Sequence, residues 1–145
     1  MTKTRGPAPR PCQSCPYRKD VPSGVWAASE YEKLPRYDDD AQPIQALNLF
    51  LCHQNDRTDP HTRMCGGWVA THGGDNLLAV RLAVAQGAIT PDTYEAVCDY
   101  RTDVPVFESG AAATAHGIRD IDDPDDIAVQ AITKISTRRT DLIGE

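Results

Sequence analysis

Two cysteines three positions apart, Cys12 and Cys15, lie almost at the N-terminus of this 145-residue chain. A Cys-x-x-Cys hook directs two thiolates to one metal, because the two residues between them let the backbone turn around the ion. A structural zinc ion takes four nitrogen or sulfur ligands and a [4Fe–4S] cluster takes four thiolates, so a complete centre needs two more. The predicted metal ligands are Cys12, Cys15, Cys52 and Cys65.

Two other interpretations of these cysteines compete with the metal centre. A thioredoxin-like dithiol needs its Cys-x-x-Cys at a turn from a strand into a helix, whereas only eleven residues precede Cys12 and Pro11 adjoins it. Unliganded thiols are usually buried, whereas the residues around the hook are mostly polar or basic. Both comparisons favour the metal centre and leave the alternatives open.

The spacing of the cysteines bears on which metal is bound. Structural zinc sites usually pair two short hooks, and only one hook here is short. The wide spacing between Cys52 and Cys65, together with Pro16, slightly favours one [4Fe–4S] cluster over one Zn²⁺. Three histidines could replace a thiolate on zinc, although an exposed loop position is the commoner role for each. They are His53, His61 and His72.

The length and composition predict one cytoplasmic domain. No stretch approaches the roughly 18 apolar residues of a membrane span, and the N-terminus has no apolar signal-peptide segment. Stable disulfides are rare in a reducing cytosol, so the 5 cysteines are expected to be ligands or buried thiols. The fifth, Cys98, is expected on the apolar face of a helix as a core residue.

The pattern of helix signals predicts a mainly α fold, with at most a small α+β character and a loop-rich, metal-centred N-terminal half. We expect residues 1–11 to be a flexible arm and residues 12–145 to form a single domain, with a cysteine region at 12–74 and a helical region at 75–145. Three to four short helices are expected to pack as a bundle. Along the whole chain five helix starts are predicted, at Ser29 as an N-cap, Pro43, Asp75, Thr90 with Pro91, and Asp123 with Pro124. The run at 104–110 is the one strand-like segment.

Charge is distributed unevenly along the chain. Residues 1–36 carry seven Lys or Arg against three Asp or Glu, and the remainder carries eight against eighteen. Because nucleic-acid affinity depends on clustered cations, an acidic chain of this kind is not expected to bind nucleic acid. An acidic run near the C-terminus suggests a decoy or regulator that engages a basic partner, although it also suits the N-terminus of the last helix. Its acidic residues are Asp120, Asp122, Asp123, Asp125 and Asp126.

Four blocks of the sequence together resemble a known family. They are CQSCPYRKDVPSGVWAASEYEKLPRYD, LFLCHQ, MCGGWVATHGG and VPVFESG, at residues 12–38, 49–54, 64–74 and 104–110. The chain from Cys12 to about Arg138 is thus similar to DUF6283, a family of small proteins from actinobacteria and their phages. The resemblance implies a cysteine-containing cytosolic protein. It does not indicate an activity. A fainter analogy is to the WhiB-like iron–sulfur regulators, whose cysteine spacing differs and whose basic DNA-binding tail has no counterpart here.

Three functions follow as hypotheses. The first is a small cytosolic metal-binding protein whose four-cysteine centre is structural or sensory and which acts by binding a protein partner. The second is a metal- or cluster-dependent enzyme of unknown reaction, although no catalytic triad, phosphate loop or His-Glu-x-x-His helix is present in the sequence. The third is the acidic interaction protein described above.

Overall fold

The computed structural model describes residues 4–38, 49–51, 63–74 and 77–136. Within these ranges the regular structure is helical and the only β pairings are isolated bridges, which confirms the mainly α prediction. The helices are α1 (Ala28–Glu32), α2 (Gly66–His72), α3 (Leu78–Ala85), α4 (Pro91–Cys98), α5 (Gly110–Ile118) and α6 (Asp126–Ser136), and a 3₁₀ turn spans Leu34–Tyr37. None of these helices has both the length and the apolar character that crossing a membrane requires.

Helix α4 forms where its capping signals predict it. The Thr90 hydroxyl accepts a hydrogen bond from the Thr93 backbone N–H at 3.1 Å, and Pro91 occupies the first helical position. Val97 is buried on the inner face. Cys98 is half-buried, and it ends the helix at the edge of the core.

Helix α6 begins slightly later than its predicted start. The Asp125 carboxylate accepts the Ala128 N–H at 2.8 Å, so the cap lies two residues beyond Asp123. Ala128 and Ile135, about two turns apart on the apolar stripe, are buried as the spacing predicted. The cations expected in the last turn, Arg138 and Arg139, lie outside the described residues.

The capping box predicted for α1 is wrong. Ala27, not Ser29, precedes the helix, and it makes no side-chain cap, so Ser29 and Glu32 both lie inside α1. The Tyr31 hydroxyl instead accepts the backbone N–H groups of Val25 and Trp26, each at 3.1 Å. A buried tyrosine hydroxyl therefore pairs with the backbone N–H groups that precede the helix. No local capping motif would indicate this arrangement.

The helix predicted from Pro43 falls mainly outside the described residues. The described part of it, residues 49–51, is not helical. Leu51 forms an antiparallel bridge with Met64, and the Cys65 N–H donates to the Phe50 carbonyl at 2.8 Å. Pairing with a distant segment outweighs the local helix signal here.

Helix α3 corresponds to the predicted central helix, and its expected burial on most sides is wrong. Only Ala79, Val80 and Ala83 are buried, whereas Leu78 is 41% exposed. The expected glycine stop is present, since Gly87 has φ +79°. The expected N-cap, Asp75, lies outside the described residues.

Helix α5 was not predicted from the sequence. It packs against α1 and the 3₁₀ turn through small residues, and a Cβ at Gly117 would lie 2.2 Å from the Tyr31 ring. The strand predicted just before it is reduced to a single antiparallel bridge between Val106 and Arg18. Helix α5 packs through glycine and alanine. It therefore lacks the large apolar side chains whose regular spacing reveals a helix in a sequence.

The described residues of the N-terminal segment are bonded to the rest of the domain. The Thr4 N–H donates to the Ala88 carbonyl at 3.1 Å, and the Met64 N–H donates to the Arg5 carbonyl at 2.9 Å. Further along, the Ala8 carbonyl accepts from the Tyr100 hydroxyl at 3.0 Å. These bonds hold residues 4–8 against the domain, directly before the cysteine hook.

Candidate metal centre

Two consecutive tight turns shape the cysteine hook. The Cys15 N–H donates to the Cys12 carbonyl at 3.0 Å, and the Arg18 N–H donates to the Cys15 carbonyl at 3.1 Å. The first bond closes a four-residue turn, which brings the α-carbons of Cys12 and Cys15 to within about 7 Å of each other. The hook therefore has the compact backbone that its spacing predicted.

The structure brings Cys15 and Cys65 together from opposite ends of the cysteine region. Their Sγ atoms lie 3.8 Å apart, and the side chains are 0% and 1% exposed. A disulfide needs an S–S distance of about 2.05 Å, so the two sulfurs are in contact without a covalent bond between them. The expectation that the hook lacks an apolar neighbourhood is wrong for Cys15, which belongs to the hydrophobic core.

The first turn of α2 packs directly on the hook. Cys65 is the N-cap of this helix, and a Cβ at Gly67 would lie 2.4 Å from the Cys15 Sγ atom and 2.8 Å from the Tyr17 Cβ atom. Only a residue without a side chain leaves room for both neighbours. The Cys-Gly-Gly-Trp step is therefore a helix start that lets backbone approach the thiols.

Burial dominates the electrostatics of this pair. Burial raises the pKa of the Cys15 thiol well above its ordinary value, and a side-chain hydrogen bond with Cys12 acts in the opposite direction. The adjoining Tyr100 is held in its neutral form, since burial and then the charges of the thiols raise its pKa to about 12. An isolated thiolate is therefore unfavourable at this site. A thiolate would form there only beside a compensating positive charge.

Aromatic side chains close the inner side of the thiol pair. Tyr37 packs edge-on against Phe50 at 4.7 Å and against Trp68 at 6.4 Å, measured between ring centroids. Tyr17 packs edge-on against Phe50 at 5.6 Å. Trp68 is 1% exposed and donates its indole N–H to the Tyr37 carbonyl at 3.3 Å. The interior next to the thiols is therefore shielded from water.

His72 lies at the opposite end of α2 from Cys65. A seven-residue helix is about 10 Å long, so the two ends are well separated. The His72 Nε2 atom is 3.2 Å from the Asp38 Oδ1 atom, and Asp38 also accepts the N–H groups of Gly110 and Ala111 at 2.7 and 3.1 Å. The sequence offered no signal for this pairing, because its members are far apart along the chain.

Replacing Asp38 by alanine is expected to lower the free energy of unfolding by about 2 kcal/mol, because its carboxylate caps α5 and pairs with His72. Urea unfolding followed by circular dichroism measures the change. Asp122→Ala removes a carboxylate from an exposed position and serves as the control, with an expected change within about 0.5 kcal/mol. Equal effects of the two variants would contradict the capping role.

Three of the remaining predicted ligands belong to segments that the structure does not describe. Cys52, His53 and His61 lie outside the described residues. Leu51, the residue before Cys52, is bridged to Met64, the residue before Cys65. Among the residues that the structure describes, no group of three or more His, Cys, Asp or Glu side chains is arranged to hold a metal ion. The candidate ligands that the described structure brings together are Cys15 and Cys65, with the Cys12 side chain hydrogen-bonded to that of Cys15.

Two members of the acidic run have local structural partners. The Asp120 N–H donates to the Ser23 hydroxyl at 2.8 Å, and Asp125 caps α6. The Ser23 hydroxyl in turn donates to the Gly117 carbonyl at 3.0 Å. The cap accounts for the Asp125 carboxylate through folding alone, whereas the Asp120 bond uses only its backbone N–H.

Comparison with protein families gives one match. The model of a family of unknown function, DUF6283, matches residues 7–139, which is most of the chain. Comparison with curated proteins and with solved structures found no significant match to either. The family assignment expected from the four sequence blocks is therefore confirmed.

Proposed function

The chain belongs to the DUF6283 family, whose function is unknown, and from its own residues we propose that it is a small metal-binding protein with one four-cysteine zinc centre. The proposed ligands are Cys12, Cys15, Cys52 and Cys65. The centre is structural or sensory, and the protein acts through a protein partner. The observation that carries the proposal is the contact between the buried Cys15 and Cys65 thiols.

The separation of these two sulfurs suits a single zinc ion. Four sulfurs bound tetrahedrally at about 2.3 Å from zinc lie about 3.8 Å from one another. The Cys15 and Cys65 Sγ atoms are 3.8 Å apart, which matches the separation of two ligands of one zinc ion. Deprotonation of these thiols is costly in a buried site, and the charge of the ion offsets that cost.

The same distance weighs against the [4Fe–4S] cluster that the cysteine spacing slightly favoured. Each thiolate of such a cluster binds a different iron, which places the sulfurs farther apart than ligands of one ion. Cys15 and Cys65 would have to separate, and Cys15 is confined by the first turn of α2 at Gly67. A mononuclear centre therefore requires less rearrangement of the core.

The proposed role of zinc is to fix three separate segments to one another. The hook, the segment at 49–51 and the start of α2 meet at the thiols through the Cys15–Cys65 contact and the bond from Cys65 N–H to Phe50 carbonyl. Removing the metal would leave these segments joined by hydrogen bonds and packing alone. A centre of this type contributes folding energy directly, and it exerts any signalling effect through a bound partner.

Metal analysis of the full chain, purified without added chelator, tests the proposal. We expect about one equivalent of zinc per chain and no acid-labile sulfide. Cys15→Ser and Cys65→Ser are expected to bind less than about a tenth of an equivalent after dialysis, because each removes a ligand from the buried pair. Cys98→Ser is the matched control and should retain the full equivalent, since Cys98 lies at the end of α4.

Three results would contradict parts of this proposal. Less than about half an equivalent of any metal in the unmutated chain would remove the metal centre altogether. A brown protein containing iron and sulfide would replace zinc with a cluster. Full zinc occupancy in Cys15→Ser and Cys65→Ser would place the ion elsewhere in the chain.

A further inference from the structure

Cys12 differs in exposure from the thiols next to it. It is half-buried, whereas Cys15 and Cys65 are almost fully buried. A thiol reacts with a dissolved oxidant only if the oxidant can reach its sulfur. Within the described cysteine cluster, Cys12 is therefore the residue that keeps some exposure to solvent.

A fixed cation lies beside Cys12. The Arg18 Nη1 atom donates to the Pro11 carbonyl at 3.0 Å and to the Cys12 carbonyl at 3.5 Å. The other side of the same guanidinium is held by Asp20 through two hydrogen bonds of 2.8 and 2.7 Å. Asp20 offsets part of the charge while it fixes the orientation. The backbone of the hook thus has a fixed, partly compensated cation on it, and a cation near a partly open thiol is typical of reactive cysteines.

A second thiol is within reach of Cys12. The side chain of Cys15 is hydrogen-bonded to that of Cys12, and the Cys15 N–H closes the turn on the Cys12 carbonyl at 3.0 Å. The α-carbons of such a turn are less than about 7 Å apart, and disulfides span about 4.4 to 6.8 Å between α-carbons. The hook can therefore close a disulfide without unfolding the core.

We propose that Cys12 is a site of reversible oxidation by hydroperoxides and that Cys15 is its resolving thiol. The Cys12 thiolate attacks the peroxide, the O–O bond breaks, and sulfenic acid and an alcohol or water form after one proton is taken up. The Cys15 sulfur then displaces hydroxide from the sulfenic acid, which leaves as water with the Cys15 proton, and the S–S bond forms. The two thiols lose two electrons in total, and the peroxide gains them.

This inference goes beyond the proposed zinc centre and needs no metal for the chemical steps. Its support is the exposure of Cys12, the Arg18 cation and the Cys15 thiol, all of which belong to the chain itself. In the zinc-loaded protein the disulfide would remove two of the four proposed ligands. Oxidation would then release zinc and free the hook from α2.

Cys98 provides an internal comparison. It is half-buried like Cys12, and Arg101 donates to its carbonyl at 3.3 Å, as Arg18 does at Cys12. Among the described residues it has no hydrogen-bonded second thiol. Comparing Cys12 with Cys98 therefore separates the effect of a neighbouring thiol from the effects of exposure and of a nearby cation.

The test treats the full chain with hydrogen peroxide in reduced, metal-free form and in zinc-loaded form, and it maps cysteine products by peptide mass spectrometry. We expect a Cys12–Cys15 disulfide in both samples, reversed by dithiothreitol, with zinc released from the loaded one. Cys15→Ser should stop at a Cys12 sulfenic acid that dimedone traps. Arg18→Gln should slow the reaction about tenfold, whereas Arg101→Gln should leave the rate at Cys12 unchanged, because Arg101 bonds the Cys98 carbonyl instead.

Two outcomes would overturn the inference. One is a Cys15–Cys65 disulfide with Cys12 still reduced, and the other is a Cys12 sulfenic acid that persists in the unmutated chain, as is expected at Cys98. Failure of the zinc centre is distinguishable from both, because the metal-free sample would still form the Cys12–Cys15 disulfide. If that disulfide forms without releasing zinc from the loaded sample, the link between oxidation and the metal is overturned.

Discussion

Gly67→Ala is expected to lower the free energy of unfolding by about 2 kcal/mol or more. An alanine in a helix gains up to about 1 kcal/mol over glycine, and overpacking a core costs about 3 kcal/mol. The overpacking effect wins because the new Cβ would meet the Cys15 Sγ atom at 2.4 Å and the Tyr17 Cβ atom at 2.8 Å. Both neighbours are fully buried and have no space into which to withdraw.

The same substitution is expected to weaken zinc binding about tenfold to hundredfold, the effect of disturbing groups that orient metal ligands. Urea unfolding and zinc competition with a chromophoric chelator measure the two changes. Gly6→Ala is the control, since its Cβ would lie 3.5 Å from the Thr93 Cγ2 atom, an ordinary contact. A Gly67→Ala protein as stable as Gly6→Ala would show that the α2 turn does not press on the hook.

Removing the hydroxyl of Tyr31 is expected to destabilise the protein, whereas removing that of Tyr17 is not. The Tyr31 hydroxyl accepts the N–H groups of Val25 and Trp26, so Tyr31→Phe leaves two buried donors unpaired, at a cost of about 3 kcal/mol. The Tyr17 hydroxyl is buried and has no hydrogen-bond partner in the described structure. Tyr17→Phe is therefore expected to change stability by less than about 0.5 kcal/mol or to raise it.

The two tyrosines form a matched pair for this experiment. Tyr17 is 0% exposed and Tyr31 is 2% exposed, and burial raises the pKa of each hydroxyl. Urea unfolding of both variants at neutral pH compares them with the hydroxyls protonated in every state. A loss of stability in Tyr17→Phe as large as that in Tyr31→Phe would show that Tyr17 has an essential hydrogen bond.

The helices predictable from the sequence are those whose start is set by neighbouring residues. Thr90 and Pro91 fix α4, and the spacing of Ala128 and Ile135 identifies the buried face of α6. Helix α5 escaped detection because its buried residues are Gly110, Ala113 and Gly117, which carry no periodic apolar signal. Its stability depends on contact with α1 and the 3₁₀ turn, and such tertiary contacts are invisible in a local pattern.

The site was partly predictable for the same reason. Chemistry and spacing singled out Cys12 and Cys15 and related them to Cys65, and the structure places the Cys15 and Cys65 sulfurs in contact. The burial of Cys15 was not predictable, because it depends on α2 and the aromatic cluster, which are distant in sequence. The expected preference for a cluster over zinc rested on spacing and stays a prediction, whereas the proposal of zinc rests on the sulfur–sulfur distance.

X-ray absorption at the zinc edge of the purified full-length protein tests the central claim most directly. The account predicts about four sulfur neighbours at about 2.3 Å from zinc. It also predicts that Cys15→Ser and Cys65→Ser lose this shell, since their sulfurs lie 3.8 Å apart in the described core. A first shell made only of nitrogen and oxygen, or protein without bound zinc, would contradict the claim that these cysteines hold one zinc ion.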